Sequence, residues 1–165
     1  EPDIEAPWAY HYIGRPDRTA LIVHSILRSQ FAPGRGGLPG NDASGGLSSW
    51  YVWASLGVFP VAGQDLYLLN APAFERSTFA NGGSDLVIET TGFRPRGPGS
   101  EPQFVVGVEL DGVALDRSWI SGAELRAGRS LLFALADEAA DWATATRPPS
   151  TSTDLHAGPP RAAPA

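Results

Sequence analysis

The chain has 165 residues, 18 acidic side chains against 12 basic ones, and a formal net charge of −6. With 42% hydrophobic and only 18% charged residues it carries enough apolar material to bury a core, which excludes a wholly disordered polypeptide. The acidic balance lacks the basic footprint of a nucleic-acid binder, and the absence of cysteine excludes disulfides, thiolate metal sites and Cys nucleophiles.

Methionine is absent as well, so the sequence is expected to be a piece of a longer protein. In chain order, Pro2 suits a first helical turn, where a missing N–H costs nothing, and Ile4–Ile13 reads as a first helix stopped by Gly14. A second helix is expected over Asp17–Phe31, with Leu21, Ile22, Ser25, Ile26 and Ser29 near one face. A Gly/Pro-rich loop follows from Pro33 to Gly46. The third helix, Leu47–Phe59, is apolar almost all round, calls for burial on several sides, and is ended by Pro60.

Beyond Val61 the pattern changes to short strands: Leu66–Leu69, Asp85–Thr90, Phe104–Leu110, Val113–Leu115 and Ser130–Ala136. Asp111-Gly112 is a type I′ hairpin signal, and the whole reads as four to six antiparallel strands. From Thr144 the composition turns to Pro, Ala, Ser and Thr, and residues 144–165 are expected to be disordered. No apolar run approaches the ~18 residues that span a bilayer. The expected organisation is therefore helical over 1–60, antiparallel β over 61–143 and a loose tail over 144–165. Two or three helices cannot close a bundle or barrel alone, so this part is expected to lean on chain not included here.

Two constellations could carry chemistry. The loop Gly36–Trp53 offers Asn41 and Asp42 as oxygen donors among glycines that let a backbone approach a ligand; the plainer reading makes Asp42, Ser44 or Ser48 a helix cap. It is not a phosphate loop, for it lacks lysine and the Walker pattern. The second is Glu1, Asp3 and Glu5 beside Trp8, Tyr10, His11 and Tyr12: carboxylates can bind sugar hydroxyls while a ring supports the apolar sugar face. An acidic first turn favoured by the helix dipole accounts for the same residues. His11 and His24 lie on different helices without zinc-site spacing, and the serines lack a nucleophile elbow.

The runs EPDIEAPWAYHYIGRPDRT (Glu1–Thr19), GLPGNDASGGLSSWYVWASLGVFPV (Gly37–Val61) and VELDGVALDRSWISGAELRAGRSLLFAL (Val108–Leu135) resemble glycoside hydrolase family 92, over Glu1 to about Trp142. These are calcium-dependent exo-α-mannosidases, many acting on α-1,2-linked mannose of N-glycans, and they invert. In such a reaction one carboxylic acid protonates the leaving oxygen while a carboxylate roughly 6.5–9.5 Å away activates water. The resemblance implies an α+β fragment: the last helices of an (α/α)6 catalytic barrel, then a small antiparallel β region and the tail. It implies Glu1 as a calcium-shell or sugar-binding residue, Asn41 and Asp42 as calcium and substrate ligands, and Asp42 as the general-base candidate. The proton donor would lie upstream of Glu1, so this chain alone is expected to be inactive.

The family usually carries two acidic residues after the Asn, and here the second position is Ala43. The alternative is therefore a catalytically silent homologue that binds mannose or glycan. The implied partners are a mannose-containing glycan, Ca2+ and the N-terminal part of the same protein, with no nucleic acid and no membrane span. The implied location is secreted or periplasmic, in a bacterium.

Overall fold

The computed structural model describes residues 2–80, 85–95 and 99–150. It opens with a 3-10 helix, Ala6–Ile13, rather than an α-helix. Asp3 starts it: one carboxylate oxygen accepts the N–H groups of Glu5 and Ala6, both at 3.0 Å. Gly14 stops it in the left-handed region at φ 72°, and its backbone runs against the Thr144 carbonyl too closely to admit a Cβ.

Helix α1 spans Pro16–Ser29, with Pro16 in the first turn and Asp17 held by Arg15 through two hydrogen bonds of 2.9 and 2.7 Å. Its buried face is Thr19, Ala20, Val23 and His24, while Ser25 and Ser29, placed on the inner face by periodicity, are exposed.

Helix α2 covers Gly46–Leu56 and buries Leu47, Trp50, Ala54 and Ser55. It ends at Gly57, not at Pro60: Gly57 is left-handed, and a Cβ there would stand 2.4 Å from the Asn70 carbonyl oxygen. Val58–Pro60 then forms strand β1.

The β region holds two sheets. The first is antiparallel, with order β1-β2-β7, β2 being Leu66–Leu69 and β7 Trp119–Ser121. The second has order β3-β4-β8-β5-β6, from Arg76–Ala80, Asp85–Thr91, Ser130–Ala136, Phe104–Leu110 and Val113–Leu115. The expectation of a wholly antiparallel region is corrected here, because β4 and β8 pair in parallel. The chain between them, β5 to β7 and helix α3 (Gly122–Ala127), brings β8 back in the same direction.

Asp111 and Gly112 both have positive φ, 50° and 78°, as a type I′ turn requires, and join β5 to β6. Asp111 also accepts the N–H groups of Arg129 and Ser130, each at 2.8 Å, which seats the start of β8 beside that turn. Helix α3 starts with a capping box between Ser121 and Glu124, and Glu124 is paired with Arg117.

Period-two alternation makes the three-stranded sheet a shared wall. Phe59, Leu66 and Leu68 face the helices and join Trp8, Val23, Trp50 and Ala54 in one core. Val58, Leu69 and Ile120 face the larger sheet and join Leu86, Ile88, Val108, Leu131 and Phe133 in the other. Trp8 stacks on Phe59, ring centroids 4.3 Å apart and planes 11° apart, an arrangement that adds ~1 kcal/mol to the area it buries.

Residues 144–150 of the stretch expected to be loose are described: Thr146 bridges to Arg117, and Pro148 is buried. Residues 151–165 lie outside the described residues. No helix of the described residues is long and apolar enough to cross a membrane.

His11 ties the 3-10 helix to the wall. Its Nδ1 is hydrogen-bonded to Ser118 Oγ at 2.8 Å, and Ser118 offers its carbonyl to the Leu69 N–H. Its Nε2 finds no partner among the described residues, and burial lowers its pKa from 6.5 to about 3. The folded state keeps His11 neutral where the unfolded chain takes up a proton. Stability is therefore full above pH 6.5 and is lost as the pH falls toward 3, at about 1 kcal/mol per pH unit. His11→Gln is expected to remove this slope between pH 6.5 and about 4.5, above the carboxylate range, in urea unfolding at a series of pH values.

Candidate active site

Each sequence constellation holds a carboxylate that organises its own backbone. In the N-terminal one, Asp3 fixes the turn before the 3-10 helix, and Glu5 accepts the Ala62 N–H at 3.2 Å. Glu1 lies outside the described residues.

In the other, the loop after α1 is closed by Ala32 N–H on the Gly37 carbonyl, at 2.9 Å. A Cβ on Gly37 would fall 1.8 Å from the Ala32 oxygen, so only glycine fits there. Gly45 occupies the N-cap of α2 in the left-handed region and has no side chain to cap with. Asp42 supplies the cap from upstream: its Oδ1 accepts Leu47 N–H and Ser48 N–H, each at 3.0 Å, and its Oδ2 accepts the Ser48 hydroxyl. These bonds, the Ser48 hydroxyl first and then the two amides, lower the Asp42 pKa, so the exposed carboxylate stays ionised further into acid. Ser44, with φ 54°, adopts a conformation uncommon for a residue with a side chain. Asn41, Asp42 and Ala43 face solvent.

The two constellations meet. A Cβ on Gly40 would be 3.9 Å from Pro2 Cδ and 3.7 Å from Leu47 Cδ1, so the loop passes directly over the N-terminal turn. Trp50, 4% exposed, donates its indole N–H to the Ile4 carbonyl at 2.8 Å. Between the segments lies a cavity of about 260 Å3 lined by Pro2, Asp3, Ile4, Pro39, Leu47 and Trp50. On the other side of the 3-10 helix, Asp3, Glu5, Trp8, Tyr12, Phe59 and Val61 line an open concavity of about 310 Å3. There burial, and then the charge of Glu5, raise the Tyr12 phenol pKa.

The aromatic residues divide by position. Trp8 and Trp50 are core residues, and Trp53 is half-buried against Tyr67 and Phe79. His11 and His24 remain on separate elements, His24 on the Ser100 carbonyl at 3.0 Å.

Asn41 and Asp42 are hard oxygen donors of the kind calcium takes, but a shell of six to eight oxygens needs more than they provide. Among the described residues no three His, Asp or Glu side chains gather as a metal site. The donor type fits calcium; the donor number requires groups from outside these residues.

The link between the segments through Trp50 had no sequence signal, because the indole partner is a backbone carbonyl remote along the chain. The cap by Asp42 had one: an Asp followed by glycines ahead of an apolar helix.

The sequence profile of the glycosyl hydrolase family 92 catalytic domain matches residues 1–137. An uncharacterized secreted glycosidase of Arthroderma benhamiae is 32% identical over 159 residues, covering 94% of this chain and 20% of that protein. A family GH92 alpha-mannosidase from Bacteroides thetaiotaomicron, solved with mannoimidazole, superposes with a TM-score of 0.82 at 23% identity, over 92% of this chain and 20% of its own. A family GH92 inverting mannosidase from the same organism superposes with a TM-score of 0.70 at 24% identity, over 81% of this chain and 18% of its own. At these identities the superpositions establish the fold alone. The chain spans about a fifth of the length of the relatives it matches.

Asp42→Ala is expected to lower the melting temperature by a few degrees by freeing the Leu47 and Ser48 amides. Asp42→Asn, which keeps an acceptor oxygen, is expected to lie near wild type. Thermal unfolding followed by circular dichroism reads the difference.

Proposed function

The chain belongs to glycosyl hydrolase family 92, and from that premise we propose that it is the C-terminal part of a calcium-dependent, inverting exo-α-mannosidase acting on α-linked mannose of N-glycans. The observation that carries this reading is the meeting of the Pro2–Glu5 turn with the Asn41–Asp42 loop, through Gly40 against Pro2 and Trp50 on the Ile4 carbonyl. Two segments far apart in sequence but adjacent in space, both with exposed oxygen donors, form one side of a site for a polyhydroxylated ligand.

On this reading residues 1–60 contribute the last helices of an (α/α)6 barrel and residues 61–143 close the domain against them. Tyr51 and Val52, large apolar residues of α2 that are 41% and 53% exposed, would pack against the preceding barrel helices. Alone, the chain would leave that apolar face open, and is expected to aggregate and to show no hydrolysis. The secreted relative supports an extracytoplasmic location, secreted or periplasmic.

Asp42 is the general-base candidate. Its carboxylate is exposed and ionised, and the Ser48 hydroxyl and the first amides of α2 hold its orientation. It would take a proton from the water that attacks the anomeric carbon, while an acid upstream of Glu1 protonates the leaving oxygen. Glu1, Asn41 and Asp42 would hold calcium together with oxygens from the rest of the protein, and the bound ion would supply a positive grip on the mannose hydroxyls.

A second reading rests on a specific observation. With Ala43 in place of a second carboxylate, Asp42 is the single acid on the loop, and both its oxygens already serve as a helix cap. That arrangement suits a homologue that binds mannose without cutting it.

The test is the full-length protein on α-mannobiose, with calcium and with a chelator, the first-formed anomer being read by NMR. Calcium-dependent release of β-mannose is expected, and Asp42→Asn should lower kcat by about a hundredfold or more. No turnover by wild type together with turnover by Ala43→Asp would instead establish the silent, glycan-binding homologue.

A further inference from the structure

Helix α2 carries two attachments within a single turn. Leu47 and Ser48 hold Asp42, and Trp50, two residues further on, holds the Ile4 carbonyl. An α-helix rises about 1.5 Å per residue and is stiff over so short a length. The Asn41–Asp42 loop and the Pro2–Glu5 turn are therefore fastened to the same rigid ruler. The fastening differs in kind: the loop is held by a carboxylate on backbone amides, the turn by one indole N–H on one carbonyl.

Trp50 is itself locked by its neighbours. Its ring stacks on Phe31 at 5.7 Å and meets Trp8 edge-on at 6.4 Å. The indole N–H is thus aimed before the turn arrives. Ile4 is 39% exposed, and the turn's other hydrogen bond to a distant segment, Glu5 on the Ala62 N–H, reaches the chain after β1 and not α2. Trp50 therefore ties the turn directly to the helix that carries the loop.

We propose that Trp50 is a positioning residue: through the Ile4 carbonyl it sets the separation between the Pro2–Glu5 turn and the Asn41–Asp42 loop. This rests on the mannosidase reading for its catalytic consequence, since that reading places substrate between those two segments. Trp50 touches no substrate in this scheme. It acts through Ile4, and a displacement of about 1 Å between groups that grip one sugar is enough to cost up to a hundredfold in rate.

Trp50→Phe keeps a ring in the core and removes the N–H, and Val23→Ala serves as a control that loosens the same core from α1 and leaves the indole N–H in place. Both are made in the full-length protein. Hydrogen exchange is expected to accelerate about tenfold at the Glu5 and Ala6 amides of Trp50→Phe while Leu47 and Ser48 keep their protection; Val23→Ala should show no such selective change. With α-mannobiose, Trp50→Phe should lose at least tenfold in kcat with a smaller change in KM, and Val23→Ala should keep kcat. Unchanged exchange at Glu5 and Ala6, or equal acceleration there in Val23→Ala, overturns the positioning role. A kcat within twofold of wild type in Trp50→Phe overturns its catalytic consequence. Absence of activity in wild type overturns the mannosidase reading instead, and the exchange measurement still decides the tether.

Discussion

A strand sends successive side chains to opposite faces, and β1 and β2 use both faces for hydrophobic burial. Val58 and Leu69 belong to the core of the larger sheet; Phe59, Leu66 and Leu68 belong to the core of the helices. A one-residue slip in the pairing of Val58 with Leu69 would send each set into the wrong core. The helical part and the β part are consequently not independent: the register of one short sheet positions both. His11 on Ser118 and Trp8 on Phe59 fasten the 3-10 helix to that wall. The candidate site inherits its geometry from there, since the 3-10 helix carries the acidic turn at its start and α2 runs directly into β1.

The same economy shows at Asp42. A helix N-terminus leaves amides without intrahelical partners, and a carboxylate placed there is stabilised both by hydrogen bonds and by the dipole. Gly45 is left-handed at the N-cap and cannot serve, so the loop bends back through Ser44 and Asp42 fills the role. Capping and general-base chemistry ask for different things from one group. The cap favours the ionised form and lowers the pKa, so a base in that place would be deprotonated but weaker. A metal ligand has no such conflict, for it needs only an ionised, oriented oxygen.

Local features were legible in the sequence where their cause is local. The Asp111-Gly112 turn, the short apolar strand Ser130–Ala136 and the stop at Gly14 all depend on neighbouring residues, and each is found. Strand β3 was missed because Arg76–Ala80 is an edge strand, only half-buried on one face, whose single large apolar residue is Phe79. The parallel pairing of β4 with β8 was missed because it is set by what lies between them, not by either strand. Helix α3 did have a signal, Ser121 with Glu124 three residues on, hidden by the apolar strand-like residues on both sides. At the site, Asn41 and Asp42 stood out by residue type. Nothing along the chain announces that the Trp50 indole will meet a carbonyl on a different element.

Ala43 and the proposed calcium are linked by charge. Asp42 places one negative charge at the α2 N-terminus, where the dipole and three hydrogen bonds already compensate it. A second carboxylate at position 43 would stand beside the first with no amide left to receive it, and the repulsion would be relieved only by a cation between or beside the pair. Calcium affinity is tuned by the number of charged ligands. A loop with Ala43 would therefore be comfortable without the ion and, on the proposed reading, would hold it less firmly than one with two carboxylates. On the proposed reading a calcium ion would then be held mainly by ligands outside this loop, with Asn41 and Asp42 contributing orientation more than affinity.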